Sequence, residues 1–304
     1  MTEWQRVKNL EIPKGKVDVI LDTDTYNEVD DQYAMSYLLR SSDKLNTVAF
    51  YAAPFYGNGK SADPKDGMEK SYDEIIKMLK LLKKEVQVFK GSENYLSDEK
   101  TPVISDAAND LSKRAMNYTT ENPLYVVAIG AITNVASAIL INPEITERIV
   151  VLWLGGHAHH MGFGGEFNMR QDIAGARVVF ESGVPLVQFP CLGVVSSFTI
   201  SKPEIKEWLI GKNDLCDYLG SITIKEAESY SKIPTWTRVI WDVTPISWLL
   251  DNDGQFTRSR LVPAPIPSYD GTYTDNPNGH LMRYVYQILR DELMNDLIQK
   301  LQQD

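Results

Sequence analysis

Four aspartates lie close together near the start of this 304-residue chain: Asp22, Asp24, Asp30 and Asp31, within the segment VDVILDTDTYNEVDDQYAMSYLLR. A strand that runs into Asp22 and Asp24 would turn both side chains to one side, since strand side chains repeat every two residues. Asp30 and Asp31 then open a helix, whose free N–H groups and dipole favour negative charge. All four would meet at the C-terminal edge of a strand, where open α/β sheets bind ligands. Carboxylates packed that closely repel one another unless a cation sits among them. Oxygen-only ligands favour Ca²⁺ or Mg²⁺ over zinc. Taken singly, Asp30 could cap its helix and Asp22 could hold a turn; the four together point to a cation site.

Other residues compete for chemical roles. His157, His159 and His160 fall in the Gly-rich stretch GGHAHHMGFGG. A transition-metal site there would need further ligands, and one imidazole, His160, could instead reach a substrate from the loop. A phosphatase of the haloacid dehalogenase type also carries Asp-x-Asp after its first strand. Its motif wants Thr or Val where this chain has Tyr26, and it leaves Asp30 and Asp31 unexplained. Trp241, Tyr230 and Trp236 lie on or beside a Trp-rich stretch, where an aromatic ring could stack on a flat ligand or simply fill the core.

The elements that must position these residues can be read from apolar periodicity. Short β-branched runs at Val17–Leu21, Thr47–Ala53, Val86–Phe89, Leu124–Ile129, Ile149–Leu154 and Pro185–Phe189 alternate with helical patterns. The helical stretches are Asp31–Arg40, Met68–Lys84, Ser105–Tyr118, Thr133–Ile141 and Ile173–Ser182. Such alternation predicts βαβ units around a parallel sheet buried on both faces. Asn58–Gly67 reads as a polar loop and Pro263–Asn278, with four prolines, as a long surface loop. Pro203–Gly211 and Asp214–Ser231 read as helices, and the chain closes with a strand, Met282–Ile288, and a helix, Arg290–Leu301. With no repeat or low-complexity linker, the expectation is one α/β domain over 1–304, with a central, mostly parallel, Rossmann-like sheet flanked by helices.

A net charge of −10 argues against a nucleic-acid backbone or an anionic membrane as partner. It does not exclude an uncharged small molecule. Cys191 and Cys216 are too few for a disulfide framework and fit a reducing compartment. Met1–Lys16 is polar, and no apolar run approaches the roughly 18 residues of a membrane span. A cytoplasmic protein is expected.

The DTD…DD run resembles the signature of the inosine–uridine-preferring nucleoside hydrolase family, Asp-x-Asp-Pro-Gly-x-Asp-Asp, with Thr25–Val29 replacing the Pro-Gly-x tripeptide. Further segments resemble the family in the same order: AIGAITN at Ala128–Asn134, Leu154-Gly-Gly, Glu166-Phe-Asn168, and Trp241-Asp242 opening a late helix. The resemblance runs over roughly residues 17–300 and implies the nucleoside hydrolase fold, hydrolysis of the N-glycosidic bond of ribonucleosides, and a bound Ca²⁺. It implies Asp24, Asp31, Asp242 and the carbonyl of Ile129 as calcium ligands. Asp30, Asn168 and Glu166 would bind the sugar, and Asp22 would stand behind the ligands and orient them. Asn58 matches a weaker substrate-contacting position. Relatives are commonly dimers or tetramers and serve nucleoside salvage, so a homodimer or homotetramer is implied.

The chemistry such a site must perform is definable. Ca²⁺ acidifies water less than zinc does, so a carboxylate must take the proton, and Asp24 is the expected base. Carboxylate and amide oxygens around the sugar would stabilise an oxocarbenium-like transition state. Much of the family carries a His just before the late metal-binding Asp as general acid. Here that residue is Trp241, which resembles the purine-preferring branch, where stacking on the base assists its departure. A hydrolase of another ribosyl or glycosidic compound on the same scaffold remains the alternative reading.

Overall fold

A computed structural model describes residues 1–161 and 165–303 of the chain. The helices are α1 (Glu3–Asn9), α2 (Asp30–Leu39), α3 (Pro64–Leu81), α4 (Asp106–Arg114), α5 (Thr133–Ile141), α6 (Phe167–Gln171), α7 (Ile173–Glu181), α8 (Lys202–Trp208), α9 (Asp214–Tyr230), α10 (Val243–Leu250) and α11 (Arg290–Leu301). The strands are β1 (Val17–Thr23), β2 (Leu45–Ala52), β3 (Val88–Lys90), β4 (Leu124–Ala128), β5 (Ile149–Leu154), β6 (Leu186–Phe189), β7 (Thr199–Ser201), β8 (Thr237–Val239), β9 (Thr257–Pro263), β10 (Ile266–Pro267), β11 (Tyr273–Thr274) and β12 (Leu281–Ile288).

Eight strands form one sheet in the order β3-β2-β1-β4-β5-β6-β12-β9. All its pairings are parallel except that of β12 with β9. The central strands LYVVA, IVVLWL and LVQF are buried throughout, because helices cover both faces and leave no wet side. The expected mostly parallel sheet flanked by helices is therefore what the chain forms.

Side-chain alternation in β1 divides the core in two and decides where the aspartates go. Val19 and Leu21 pack with α2, α3, α10 and α11, whereas Ile20 packs with α4, α5 and α7. Asp22 shares the face of Ile20, and its Oδ1 accepts from Asn134 Nδ2 on α5 at 2.8 Å. The strand ends at Thr23, and a turn closed by Asn27 N–H donating to the Asp24 carbonyl at 2.7 Å carries Asp24 elsewhere. The expected convergence of Asp22 with the other three is thus corrected: the turn after Thr23 breaks the two-residue alternation before Asp24.

All ten residues of α2 are buried, including Asp30 and Asp31 in its first turn, where no side chain caps the helix. Helix α3 begins at Pro64, four residues before the expected Met68. Asp63 caps it by accepting from Asp66 N–H, and proline is pre-organised for a first helical position. Strand β9 was not foreseen: its alternating TRSRLVP reads as polar, which suits an exposed sheet edge. The expected loop Pro263–Asn278 holds a small hairpin, β10 paired antiparallel with β11. Among the described residues no helix is long and apolar enough to cross a membrane.

Candidate active site

The C-terminal ends of β1, β4, β5 and β6, with the starts of α2 and α10, surround a cavity of about 320 Å³. That is at the small end of the range for small-molecule sites. Asp24, Asp30, Asp31, Ile129, Glu166, Asn168, Trp241 and Asp242 all line it, as does Asn58. The fold thus brings together segments more than 200 residues apart in sequence.

The carboxylates are almost wholly withdrawn from solvent: Asp24, Asp30 and Asp31 are each 1% exposed and Asp242 4%. One oxygen from each of Asp30, Asp31 and Asp242 lies within 4.8 Å of the others, so this trio could hold a metal ion. Asp24 stands beside the trio rather than in it, against Gly130, where a β-carbon would lie 3.1 Å from its carboxyl carbon. Asp24 Oδ2 and Asp30 Oδ1 are buried and accept no hydrogen bond among the described residues. Asp31 is better served, since Thr23 Oγ1 donates to its Oδ1 at 2.5 Å.

Crowding and burial resist ionisation. Burial pushes the Asp31 carboxyl up to about 7, against the Thr23 hydrogen bond, which lowers it. Asp24 rises well above the usual carboxylate range through burial first, then the charges of Asp31, Glu28 and Asp30. Asp242 does so through burial, then Asp30, Asp31, Asp24 and Glu28. Burial and Glu28 also raise Asp30, while the Arg238 guanidinium lowers it. Buried carboxylates with unpartnered oxygens fit a hard divalent cation, which would supply the missing charge and oxygen contacts.

Neighbouring groups set the rest of the geometry. Asn168 Nδ2 donates to the carbonyls of Ile129 at 3.1 Å and Leu154 at 3.0 Å, tying the ends of β4 and β5 together. Glu166 caps α6, with Oε1 accepting from Asn168 N–H and Oε2 from Met169 N–H at 2.9 Å and Gly156 N–H at 2.8 Å. Three backbone donors thus occupy a carboxylate expected to bind sugar. Gly156 must be glycine: its φ is +77°, and a β-carbon would lie 1.9 Å from the Tyr273 hydroxyl. Asp22 stays behind the cavity, where its carbonyl accepts from Ile129 N–H at 2.9 Å and burial raises its carboxyl to about 7.

Several expected residues lie elsewhere. Trp236 is 8% exposed and packs in the core, and Tyr230 is 60% exposed at the end of α9. Neither lines the cavity, because pairing of β8 with β7 draws the Trp-rich stretch across the molecule before Trp241 re-enters. His160 lines a separate depression with Gly193, Arg260 and Tyr284, and the His159 ring bonds Gln188 at 2.8 Å. The imidazole at the cavity is His157, whose Nδ1 accepts from Leu192 N–H at 3.3 Å. Residues 162–164 of the histidine loop lie outside the described residues.

With this geometry, the comparisons with known proteins define the class. The chain belongs to the inosine-uridine preferring nucleoside hydrolase family, whose model matches residues 19–275. It is similar to the pyrimidine-specific ribonucleoside hydrolase RihB of Shigella flexneri, 29% identical over 167 residues, 51% of this chain and 52% of that protein. The chain thus spans about half the length of the curated relatives it matches. Among solved structures it shares its fold with a plant nucleoside hydrolase, PpNRh1, at TM-score 0.76 and 15% identity, covering 95% of this chain and 99% of that one. It also shares its fold with a purine-preferring ribonucleoside hydrolase from Gardnerella vaginalis, at TM-score 0.75 and 19% identity, covering 94% and 98%.

Sequence reasoning missed four contributors. Asn27 and Glu28 line the cavity from the segment that departs from the family signature. Arg238, 9% exposed, faces Glu28 at 2.9 Å, Glu226 at 3.3 Å and Asp30 at 3.7 Å. Lys60 joins Glu226 at 2.6 Å and donates to the Asn27 carbonyl at 2.5 Å. The one available signal was an arginine three residues before Trp241 in an otherwise aromatic stretch.

Proposed function

We propose that the protein hydrolyses the N-glycosidic bond of ribonucleosides, giving base and ribose, with Ca²⁺ bound among Asp24, Asp31, Asp242 and the carbonyl of Ile129. The observation that carries this reading is the buried Asp24 Oδ2, which accepts no hydrogen bond among the described residues, beside the Asp30, Asp31 and Asp242 carboxylates at the edge of a cavity of nucleoside scale. All-oxygen donors support Ca²⁺ over transition metals. Asp30 is assigned to a sugar hydroxyl rather than to the ion, because Arg238 already faces its Oδ1 at 3.7 Å.

Held by these residues, the ion would supply positive charge beside the sugar and would favour loss of a proton from water. Asp24 takes that proton as the water attacks C1′. The carboxylates around the sugar stabilise positive charge growing on the ring. Asn168 holds the Ile129 carbonyl in place and offers its amide oxygen to the sugar, while Glu166 ties Gly156 to the start of α6 beside it. Trp241 stacks on the base as it departs. The reading includes a homodimer or homotetramer and a salvage role in the cytoplasm, the last supported by two free, buried cysteines.

Product analysis of a nucleoside panel incubated with calcium-loaded protein tests it. Free base and ribose in equal amounts are expected; no release from any nucleoside would overturn the reading.

A further inference from the structure

The charge of the cavity narrows the substrate class. Six carboxylates line it, Asp24, Glu28, Asp30, Asp31, Glu166 and Asp242, and no lysine or arginine does among the described residues. The adjacent cation, Arg238, stands outside the lining and divides its charge among Glu28, Glu226 and Asp30. Lys60 is engaged by Glu226. The lining therefore offers a ligand carboxylate oxygens and no cationic side chain among the described residues. Glu28 carries this acidic lining to the rim, with its side chain 42% exposed and its Oε2 held 2.9 Å from Arg238. Such a field draws positive groups in.

Outside the carboxyl cluster, the proton inventory points the same way. When a neutral base departs, the electron pair of the C1′–N bond leaves it anionic, and an acid must protonate it. Trp241 stands where that acid would be, and an indole N–H does not ionise usefully. His157, the imidazole in the lining, accepts at Nδ1 from Leu192, and burial lowers its pKa. Burial pushes the Cys191 thiol up, and it is bonded to Glu166. A base that is already cationic needs no acid. The electron pair of the breaking bond neutralises its ring nitrogen, the water oxygen bonds to C1′, and the water's proton passes to a carboxylate. The face of Trp241 also attracts a cationic ring.

We infer that the site prefers nucleosides with a positively charged base, an N-ribosylpyridinium or an N7-alkylated purine nucleoside, with Glu28 at the rim recognising the charge. This rests on the hydrolase reading above. The test compares N-ribosylnicotinamide with uridine, and 7-methylguanosine with guanosine, on calcium-loaded protein. Each cationic nucleoside should exceed its neutral partner by about 100-fold in kcat/KM, the smallest usual contribution of a general acid. Glu28→Gln should lower that ratio roughly tenfold, mainly through KM. That change separates charge recognition from the intrinsic lability of the substrates. In a binding assay independent of turnover, 1-methylnicotinamide should compete where nicotinamide does not, and Glu28→Gln should weaken it. Neutral nucleosides cleaved as well as cationic ones, or a ratio untouched by Glu28→Gln, would overturn the inference and leave the hydrolase reading standing. No cleavage of any of the four would overturn both.

Discussion

Each aspartate of the cluster has a separable role at the scale of the residue. Asp24→Asn should lower turnover by about 10²–10⁴-fold, the usual loss for a general base, while the fold, read by circular dichroism, is kept. Near-normal turnover would remove Asp24 from the chemistry. Asn168→Ala strips two buried carbonyls of their donor. It should cost roughly 1–3 kcal/mol of stability and weaken calcium binding by freeing the Ile129 carbonyl, both measurable by melting with and without calcium. Asp22 supports a pH prediction. Its carboxyl rises from 3.8 to about 7 on folding, so the folded chain holds the proton more tightly than the unfolded one. The resulting stability is complete below pH 4 and is lost as pH rises through 7. Asp22→Asn, which keeps the contact with Asn134, should therefore flatten the melting temperature between pH 4 and 7 relative to wild type.

Between elements, a chain of charges from Lys60 through Glu226 and Arg238 to Glu28 joins the segment after β2, helix α9, strand β8 and the turn between β1 and α2. Gln32 Nε2 pins the same turn by donating to the Thr25 carbonyl at 2.9 Å. Arg238→Met would leave Glu28 and Asp30 without their cation, while Glu226 keeps Lys60, at a cost of about 3–5 kcal/mol. Faster hydrogen exchange confined to residues 25–29 is the expected signature, and uniform loss of protection would show a general collapse instead. This charge chain marks the limit of what the sequence disclosed. The alternation of strands and helices was legible, because buried strands are unbroken apolar runs. So was the placing of Asp24, Asp31 and Asp242 around one cavity, because their flanking motifs resemble a known order. The partners of Arg238 were not legible, since ion pairs between distant segments leave no periodic trace. Asp22 was expected to converge with the other three because alternation was extended one residue past the strand's end; it stands instead behind the cavity, on Asn134. In the histidine loop the tertiary path placed His157 rather than His160 at the cavity, a choice that neighbouring residues of one type do not reveal. Strand β9 was hidden by its arginines, which face outward at an exposed sheet edge.

In the whole molecule, the sheet gathers acidic groups into one cavity and leaves them short of positive charge, so the ion and the fold should stabilise one another. Calcium at 100 times its dissociation constant should add about 2.7 kcal/mol to stability, and stripping it should lower the melting temperature accordingly. Trp241, at the mouth of the same cavity, should contribute about 1–3 kcal/mol by stacking, so Trp241→Ala should cost purine nucleosides roughly 5- to 150-fold and pyrimidine nucleosides less. Equal losses on both, and on p-nitrophenyl riboside, would make it a packing residue that supports Asp242. The most direct test of the central claim is a calcium titration of metal-free protein that reads bound ion and ribose release in the same samples. Both should saturate together near one ion per chain, and both should be lost in Asp31→Asn and Asp242→Asn but kept in Asp22→Asn. Ribose release without calcium, or calcium binding that survives the loss of Asp31 and Asp242, would contradict the account.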